Sequence, residues 1–355
     1  MSAEASGCPI GLQCTAAGTQ PTHGATATPV DNRTGMNVYL TFDIEIWCND
    51  WAELDQRFPA SFERYVYGRS KQGDFALPAT LQMLQRHGLR GVFFVEPLFS
   101  ARFGRQYLET IVSMIRSAGQ DVQLHLHPEW TDEIRPALLA DVSRKRQHLI
   151  HYSLDEQTML IRFAKHTLEA AGAPPITAFR AGSYAANQAS YLALQRNSIL
   201  IDSSLNEIDA ASGTDIAATT RYLTRREIEG VTSYPVTVFR DGLGRLRPAQ
   251  VGACSFAEMR AALLAAEAGG CQHFVIVSHN FEMLKPASSE PDQVVVRRFE
   301  QLCGFLAAHS QRFTVGSFAV APPAGASPVQ RESRPRVGAW ATAVRLAEQA
   351  WRRLA

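Results

Sequence analysis

The chain has 355 residues, an ordinary globular composition and almost no net charge. Hydrophobic residues make up 46% and charged residues 19%. This excludes a wholly disordered chain, because enough apolar material is present to offset the loss of chain entropy. Lysine and arginine total 35 against 34 aspartate and glutamate, a formal net charge of +1, so no global electrostatic argument favours a nucleic-acid partner.

The first 36 residues are rich in Gly, Ala, Thr and Pro without periodicity, which predicts a flexible leader. The leader lacks a basic segment followed by an apolar one, and no apolar run in the chain reaches membrane-spanning length. We therefore expect a cytoplasmic protein. Six cysteines are spread over the chain without a C-x-x-C pair, which favours buried free thiols in a reducing compartment.

From Asn37 onward, short apolar strands alternate with helices. After the first strand, NVYLTFDIEIW, the polar and aromatic stretch 49–74 has no clean period and predicts a long loop. Helix and strand then repeat about seven times, which predicts a parallel sheet or α/β barrel in one catalytic domain, 37–320. A long helix is expected at about 289–309. The later predicted strands are GVFFV, DVQLHLH, PITAFRAG, SILIDSS, SYPVTVF, HFVIVSHN and RFTVGSF.

The C-terminal part predicts a linker, 321–336, and an amphipathic helix over 337–355. The apolar positions of the helix form one stripe, consisting of Trp340, Val344, Ala347, Trp351 and Leu354. Three arginines lie beside it, namely Arg345, Arg352 and Arg353. Such a stripe is compatible with an anionic membrane surface. More often such a stripe packs on its own domain or on a partner subunit.

Polar side chains close several of the predicted strands. Functional groups of α/β barrels gather where parallel strands end, so we expect these side chains to lie near one another. A rim used only for solubility would favour Lys, Ser and Asn rather than histidines. The closing residues are Asp43 and Glu45 on the first strand, His125 and His127 on the third, Arg180 on the fourth, Asp202 on the fifth and His279 on the seventh.

The spacing of these residues favours a metal site. His125 and His127 are two residues apart, so both imidazoles leave the same face of an extended strand. Together with a carboxylate such as Glu45, they match a two-histidine, one-carboxylate site with open coordination positions. Glu129 could replace His127 as the third ligand. For any one pair, the alternative is an ordinary polar group bonded to loop amides.

Two further closing residues, an arginine and a histidine, have charge properties that suit a catalytic rim. Arg180 keeps its charge, so at a buried rim it needs an anion, and Asp43 or Asp202 can supply it. His279 follows a run of apolar and small residues and has the side chain suited to proton transfer near neutral pH.

The ordered segments TFDIE, HLHPE, FRAGSY, DSS and VIVSHN resemble the polysaccharide deacetylases of the NodB-homology type, carbohydrate esterase family four. The resemblance covers about 37–317 and implies a distorted (β/α)7-type barrel. HLHPEW and SHNFEM are most similar to a branch associated with surface-polysaccharide and O-antigen biosynthesis. The chain departs from the family pattern where Glu129 replaces a histidine, where a proline after Arg180 is missing, and where a tryptophan of the fourth motif is absent.

This resemblance implies a hydrolase that removes N-acetyl groups from a sugar in a polysaccharide or its precursor. Asp43 matches the catalytic base and His279 the catalytic acid. Arg180 matches the arginine that orients the base, and Asp202 matches an acid that tunes Arg180 or His279.

The resemblance also implies a divalent ion, Zn²⁺ in the first place with Co²⁺, Ni²⁺ or Mn²⁺ as alternatives. Its implied ligands are Glu45, His125 and His127, with Glu129 as the possible substitute for His127. Candidate substrate contacts are Tyr184, Trp130 and Trp47.

Other functions stay open. The same chemistry serves a deformylase of a lipid-linked amino sugar or a cyclic imidase, and a catalytically degenerate carbohydrate-binding member would keep the fold. The expected partner is an N-acetylated glycan or a lipid-linked or nucleotide-linked sugar, with no nucleic acid. Peripheral contact with the inner face of a membrane, or self-association, is expected through 337–355.

Overall fold

A computed structural model describes residues 35–48, 50–208, 216, 225–319 and 334–354. The predicted leader through residue 34, with Cys8 and Cys14, lies outside the described residues. So do most of the predicted linker, the side chains of Arg353 and Leu354, and Ala355. Gly35–Ala355 is one compact unit by its internal contacts.

Strands and helices alternate along most of this unit. The strands are β1 (Met36–Ile44), β2 (Arg69–Ser70), β3 (Gly73–Asp74), β4 (Val92–Val95), β5 (Asp121–Leu126), β6 (Ala178–Ala181), β7 (Ile201–Asp202), β8 (Arg226–Ile228), β9 (Val231–Ser233), β10 (Val238–Arg240), β11 (Leu246–Pro248), β12 (His273–His279) and β13 (Phe313–Val315). The α-helices are α1 (Leu54–Phe62), α2 (Leu77–Arg86), α3 (Ser100–Phe103), α4 (Arg105–Ser117), α5 (Leu154–Ala170), α6 (Gln188–Arg196), α7 (Phe256–Ala268), α8 (Gln293–Ala308) and α9 (Ala339–Leu354).

Nine strands form one curled sheet in the order β12-β1-β4-β5-β6-β7-β9-β8, with β13 beside β1. All neighbours are parallel except β8 and β9. Segments after β9 and β11 cover the outer edge of β12, since the Thr237 and Val251 amides donate to the Val275 and Val277 carbonyls at 3.1 Å. The predicted distorted α/β barrel is confirmed in this half-barrel form.

The two faces of the sheet carry different side chains, because successive residues of a strand point to opposite sides. The outer face packs against the helices through residues such as Phe42 on β1 and Phe179 on β6. The inner face encloses a separate apolar cluster at the amino ends of the strands. This inner cluster consists of Tyr39, Val92, Phe94, Ala178, Ile201, Tyr234, Val275 and Phe318.

Two predicted elements need correction. The predicted loop 49–74 contains α1, a π-helical turn over Glu63–Tyr67 and the β2–β3 hairpin. Its apolar residues recur at helical spacing, with Leu54, Phe58 and Phe62 buried, and the interpretation as a loop overlooked that period. The predicted strand SYPVTVF is divided between β9 and β10, because Pro235 has no N–H to donate to a ladder.

Smaller differences concern element ends. β1 begins at Met36, inside the predicted leader, and the long helix begins at Gln293 rather than about 289 because Asp292 caps it. The four described cysteines, Cys48, Cys254, Cys271 and Cys303, are free thiols. None of the helices in the described ranges is long and apolar enough to cross a membrane.

The C-terminal helix α9 packs on α7 with its polar side inward. Arg345 is buried and its guanidinium bonds Glu258 at 3.0 Å, whereas Trp340 and Trp351 are exposed. The alternative in which the apolar stripe packs on its own domain is therefore wrong.

Candidate metal centre and active site

The sheet brings the predicted strand-end residues to one rim. Strand register places Asp43 beside His279 and His125 beside Arg180. Glu45 follows β1 directly. Because the sheet curls, groups from strands several positions apart in the sheet meet across its interior.

Three atoms that can bind a metal ion converge at this rim. The Oε1 atom of Glu45 lies 2.8 Å from Nε2 of His125 and 2.9 Å from Nε2 of His127. Nδ1 of His125 lies 2.8 Å from the Arg180 carbonyl oxygen, so that nitrogen carries the proton and Nε2 presents a lone pair in the neutral ring. A lone pair facing a carboxylate oxygen at this distance needs either a proton or a metal ion between the two atoms. The donor set fits a divalent metal with imidazole and carboxylate ligands.

Glu129 lies behind His127. Its Oε2 atom is 3.3 Å from Nδ1 of His127, the opposite side of the ring from Glu45. This is the arrangement in which a carboxylate fixes the tautomer of a metal-binding histidine. Gly182 completes the cradle, because a Cβ at that position would lie 2.8 Å from atoms of the His127 ring.

The electrostatics of the cluster favour positive charge. Burial opposes ionisation of Glu45, but His127 and His125 hold its pKa well below the usual range. Burial likewise opposes protonation of His127, yet Glu45 and Glu129 raise its pKa well above the ordinary value. Protons therefore compete with a metal ion for the same place.

Asp43 forms the expected ion pair with Arg180. Nη1 of Arg180 donates to Oδ1 of Asp43 at 2.7 Å, and both side chains are buried. The remaining guanidinium donors bind Thr41 Oγ1 and the oxygens of Ser203 at 2.9–3.0 Å. The guanidinium also lies over the Phe94 ring, 4.4 Å from its centroid. These contacts fix the orientation of the Asp43 carboxylate.

Asp202 does not take the predicted position. Its carboxylate accepts hydrogen bonds from Tyr191, Ser204 and Ser233, and among the described residues it contacts neither Arg180 nor His279. Ile201 belongs to the inner cluster, so its neighbour Asp202 faces the helices and the next residue, Ser203, faces inward. The expectation that Asp202 tunes Arg180 or His279 is therefore wrong, and Ser203 makes the contacts to Arg180.

His279 lies on the other side of Asp43. One ligand atom each of His279, Asp43 and Glu45 lie within 4.8 Å of one another. Nδ1 of His279 donates to Oε1 of Glu282 at 3.0 Å, which leaves Nε2 for the rim. Burial lowers the tendency to protonate, but Glu282, Glu45 and Asp43 raise the pKa of His279 to about 9. The imidazole is thus suited to donate a proton near neutral pH.

Two cavities open beside the cluster, and Trp47 lines both. Its indole N–H donates to Oε2 of Glu45 at 2.8 Å. Trp130 lines the first cavity, of about 450 Å³, together with His127. Tyr184 follows β6 and lines neither of these cavities.

Several residues of the rim were missed from the sequence. Asn280 joins the ends of two strands, because its side chain accepts from the Glu45 amide at 3.2 Å and donates to the Glu45 carbonyl at 3.1 Å. Glu282 also accepts from Ser278, Gln250 and the Gly252 amide. Both lie within SHNFEM, where a polar run directly after the most apolar strand was the available signal.

Glu96 is a further buried acid. It follows β4 and lines the first cavity, and its carboxylate accepts from the Leu98 amide at 2.8 Å. Burial raises its pKa to about 8, against the effect of that amide. The apolar strand GVFFV offered no signal beyond the acid that follows it.

Comparisons with known proteins found matches among solved structures. No family model and no curated protein matches the sequence. A solved structure named "putative polysaccharide deacetylase" from Mycobacterium smegmatis has a TM-score of 0.50 at 18% identity, covering 82% of this chain and 90% of its own. A family 4 carbohydrate esterase from Streptomyces lividans has a TM-score of 0.38 at 15% identity, covering 79% and 92%. A family 4 pseudoenzyme from Bacillus anthracis has a TM-score of 0.36 at 13% identity, covering 79% and 63%.

At these identities the similarity extends to the fold alone. The first of the three structures supports the NodB-type barrel. The activity of the chain depends on the residues at its own strand ends.

Proposed function

We propose that this protein is a metal-dependent carbohydrate N-deacetylase. The observation that carries the proposal is the convergence of Glu45, His125 and His127, with Asp43 and His279 next to one another on the same rim. A divalent ion held by these three residues would supply Lewis acidity toward a water molecule and an amide carbonyl.

The chain's own residues would move the protons. Asp43 would take a proton from the attacking water, and Arg180 would keep its carboxylate oriented through the 2.7 Å ion pair. His279 would donate a proton to the departing nitrogen. The products balance as acetate and a free amino sugar, since water supplies the hydroxyl that the acyl carbon gains.

Glu129 is assigned to orienting His127 rather than to binding the metal. We base this on the position of its carboxylate behind Nδ1 of His127. Replacing His127 by Ala should abolish metal binding, whereas Glu129→Gln should weaken metal affinity about 10- to 100-fold. Equal losses in the two variants would contradict the assignment.

Finer parts of the function are proposals of the same kind. The substrate is proposed to be an N-acetylated sugar of a surface polysaccharide or its precursor, and the protein is proposed to act in the cytoplasm. An N-formyl or cyclic imide substrate would use the same residues, so the acyl group has to be identified by product analysis.

The first experiment is metal analysis by mass spectrometry of the wild type and His125→Ala. We expect close to one equivalent of zinc, cobalt, nickel or manganese in the wild type and less than a tenth of that in the variant. His166→Ala, an exposed histidine on α5, is the matched control and should retain the metal. Acetate release from N-acetylated saccharides is then measured on the same preparations.

Absence of metal from the wild type after loading at neutral pH would overturn the hydrolase proposal. It would favour a carbohydrate-binding protein that keeps the fold without the reaction.

A further inference from the structure

The C-terminal helix α9 faces the rest of the protein with its polar side and faces outward with its apolar side. A helix packed on the core of a soluble protein has the opposite orientation. Its inward side carries charges, and four ion pairs hold it: Arg345 with Asp241, Arg345 with Glu258, Arg298 with Glu348, and Arg352 with Asp292. Its outward side carries Trp340, Ala347 and Trp351 of the apolar stripe. Trp340 is 75% exposed and Trp351 is 65% exposed.

This orientation leaves a large apolar surface without cover from the described part of the chain. An amphipathic helix normally buries its apolar side, and contiguous exposed apolar patches mark interaction sites. Trp340 and Trp351 are eleven residues apart, which places them on one side of the helix about 16 Å apart along its axis. The buried ion pairs of Arg345 with Asp241 and Glu258 oppose rotation of the helix about its axis, because separated partners would be left as uncompensated charges.

A groove leads from the metal cluster to this helix. The cavity of about 620 Å³ beside His279 adjoins a second one of about 860 Å³. The two share Lys285, Pro286 and Arg352 in their walls, and the second reaches Trp351.

The groove provides a place for an anion. Arg64 lines its inner part, and the buried Nε of Arg64 has no hydrogen-bond partner among the described residues. The nearby carboxylates are engaged, since Glu282 bonds His279 and Asp292 bonds Arg352. Glu290, at the outer end, is exposed. An anionic group midway along the groove would lie between the reacting sugar and the apolar helix.

We infer that the substrate is an amino sugar joined through phosphate to a membrane lipid, and that α9 docks on the membrane that holds it. This inference rests on the proposed deacetylase function. The sugar would lie at the rim, the phosphate against Arg64, and the lipid would leave past Trp351. A soluble nucleotide sugar fits less well, because a ligand confined to the groove would leave Trp340 exposed.

The membrane part is tested with the full chain and vesicles, without any measurement of activity. We expect the wild type to co-sediment with vesicles of phosphatidylcholine and phosphatidylglycerol, with a blue shift of tryptophan emission. Trp340→Ala/Trp351→Ala should bind at least ten-fold more weakly. Met159→Ala/Leu200→Ala is the matched control, since each residue is 41% exposed elsewhere on the molecule, and it should bind like the wild type.

Two outcomes would overturn this part. One is equal sedimentation of both double variants. The other is a wild-type dimer that the tryptophan variant converts to a monomer in light scattering, which would assign the stripe to a second copy of the chain.

The groove is tested by direct binding of farnesyl phosphate, with farnesol and inorganic phosphate as comparison probes. We expect farnesyl phosphate to bind at least ten-fold more tightly than either comparison probe, because both the apolar chain and the charged group find contacts. Arg64→Met should remove most of the advantage over farnesol, and Arg64→Lys should restore part of it.

Equal binding of farnesol and farnesyl phosphate would overturn the assignment, as would an unchanged ratio in a folded Arg64→Met protein. Binding of inorganic phosphate as tight as that of farnesyl phosphate would assign the groove to a free anion. These readouts do not need turnover, so a failure of the proposed reaction would show separately in the acetate assay.

Discussion

The two ends of β12 place the same side chain in opposite electrostatic surroundings. His273, at the amino end, packs against the rings of Tyr39 and Tyr234. Its Nδ1 has no partner in the described structure, and burial lowers its pKa to about 4. His279, at the carboxyl end, lies among Glu282, Glu45 and Asp43, and these acids raise its pKa to about 9 against the effect of burial. The position along the strand therefore sets the chemistry of each imidazole.

The same division runs through the whole interior of the barrel. The lower layer, at the amino ends of the strands, is the aromatic inner cluster, in which the rings of Phe318 and Tyr39 stack with their centroids 4.4 Å apart. Its side chains fill the space between the strands. The upper layer, at the carboxyl ends, is polar, and β1, β4, β5, β6 and β12 contribute to it through residues at or just after their ends. Precise placement of charged groups at one end thus rests on close packing at the other.

The largest effect on activity is expected from Asp43→Asn. Removing the base at the upper end should lower kcat by about 10²- to 10⁴-fold, while the metal content stays near that of the wild type. Asp202→Asn is the matched control, because this acid lies on the outer face of the sheet beside Tyr191. It should lower stability and leave kcat within a few-fold. A comparable loss of kcat in both variants would contradict the division between the two faces.

Gly182→Ala should weaken metal binding about 10- to 100-fold. The added Cβ would lie 2.8 Å from the His127 ring, which has to move away from Glu45. Metal titration followed by calorimetry measures the change. Gly338→Ala meets nothing within 4 Å and should titrate like the wild type; a similar weakening there would show that the contact with His127 is not the cause.

Glu282→Gln should bring the pKa of His279 from about 9 toward 6.5 and lower activity about ten-fold. The wild-type contribution of His279 to stability is fully present below pH 6.5 and is lost as the pH rises through about 9. Histidine NMR titration of the metal-free protein measures the pKa directly. An unchanged pKa in the variant would show that Asp43 and Glu45 alone set it.

The smallest effect on activity is expected at the lower end, from His273→Phe. The pKa of His273 is lowered in the folded protein, so below pH 6.5 this residue binds a proton in the unfolded chain but stays neutral in the folded protein until about pH 4. Wild-type stability should therefore fall between pH 6.5 and about 4, by at most about 3 kcal/mol. In the variant, the free energy of unfolding should not fall by this amount between the two pH values, and kcat should be unchanged. Chemical denaturation at pH 6.5 and at about pH 4 measures the difference.

Much of the barrel could be predicted from the sequence, because apolar strands followed by polar residues carry a clear period. Asp43, Glu45, His125, His127, Arg180 and His279 were found by this rule. Asp202 shows its limit, since a strand of only two residues offers no alternation from which to tell the inner face from the outer one. Glu282 and Asn280 act through contacts with segments that are distant in sequence. A local sequence pattern does not predict such contacts.

The C-terminal helix shows a second limit. Its period was correct and its stripe was correctly located, but a period does not say which side faces the protein. That choice depends on acids far away in the chain, namely Asp241, Glu258 and Asp292.

The pairing of β1 has a consequence for how the chain reaches this structure. One edge of β1 pairs with β12, and the Thr41 hydroxyl bonds the Ile276 carbonyl across 235 positions of sequence. The other edge pairs with β4 and, lower down, with β13. β1 can therefore complete the edge that pairs with β12 only after residues up to 279 have been synthesised, and the other edge only after residues up to 315. Such non-local pairing slows folding, so we expect β1 to depend on chaperones during synthesis.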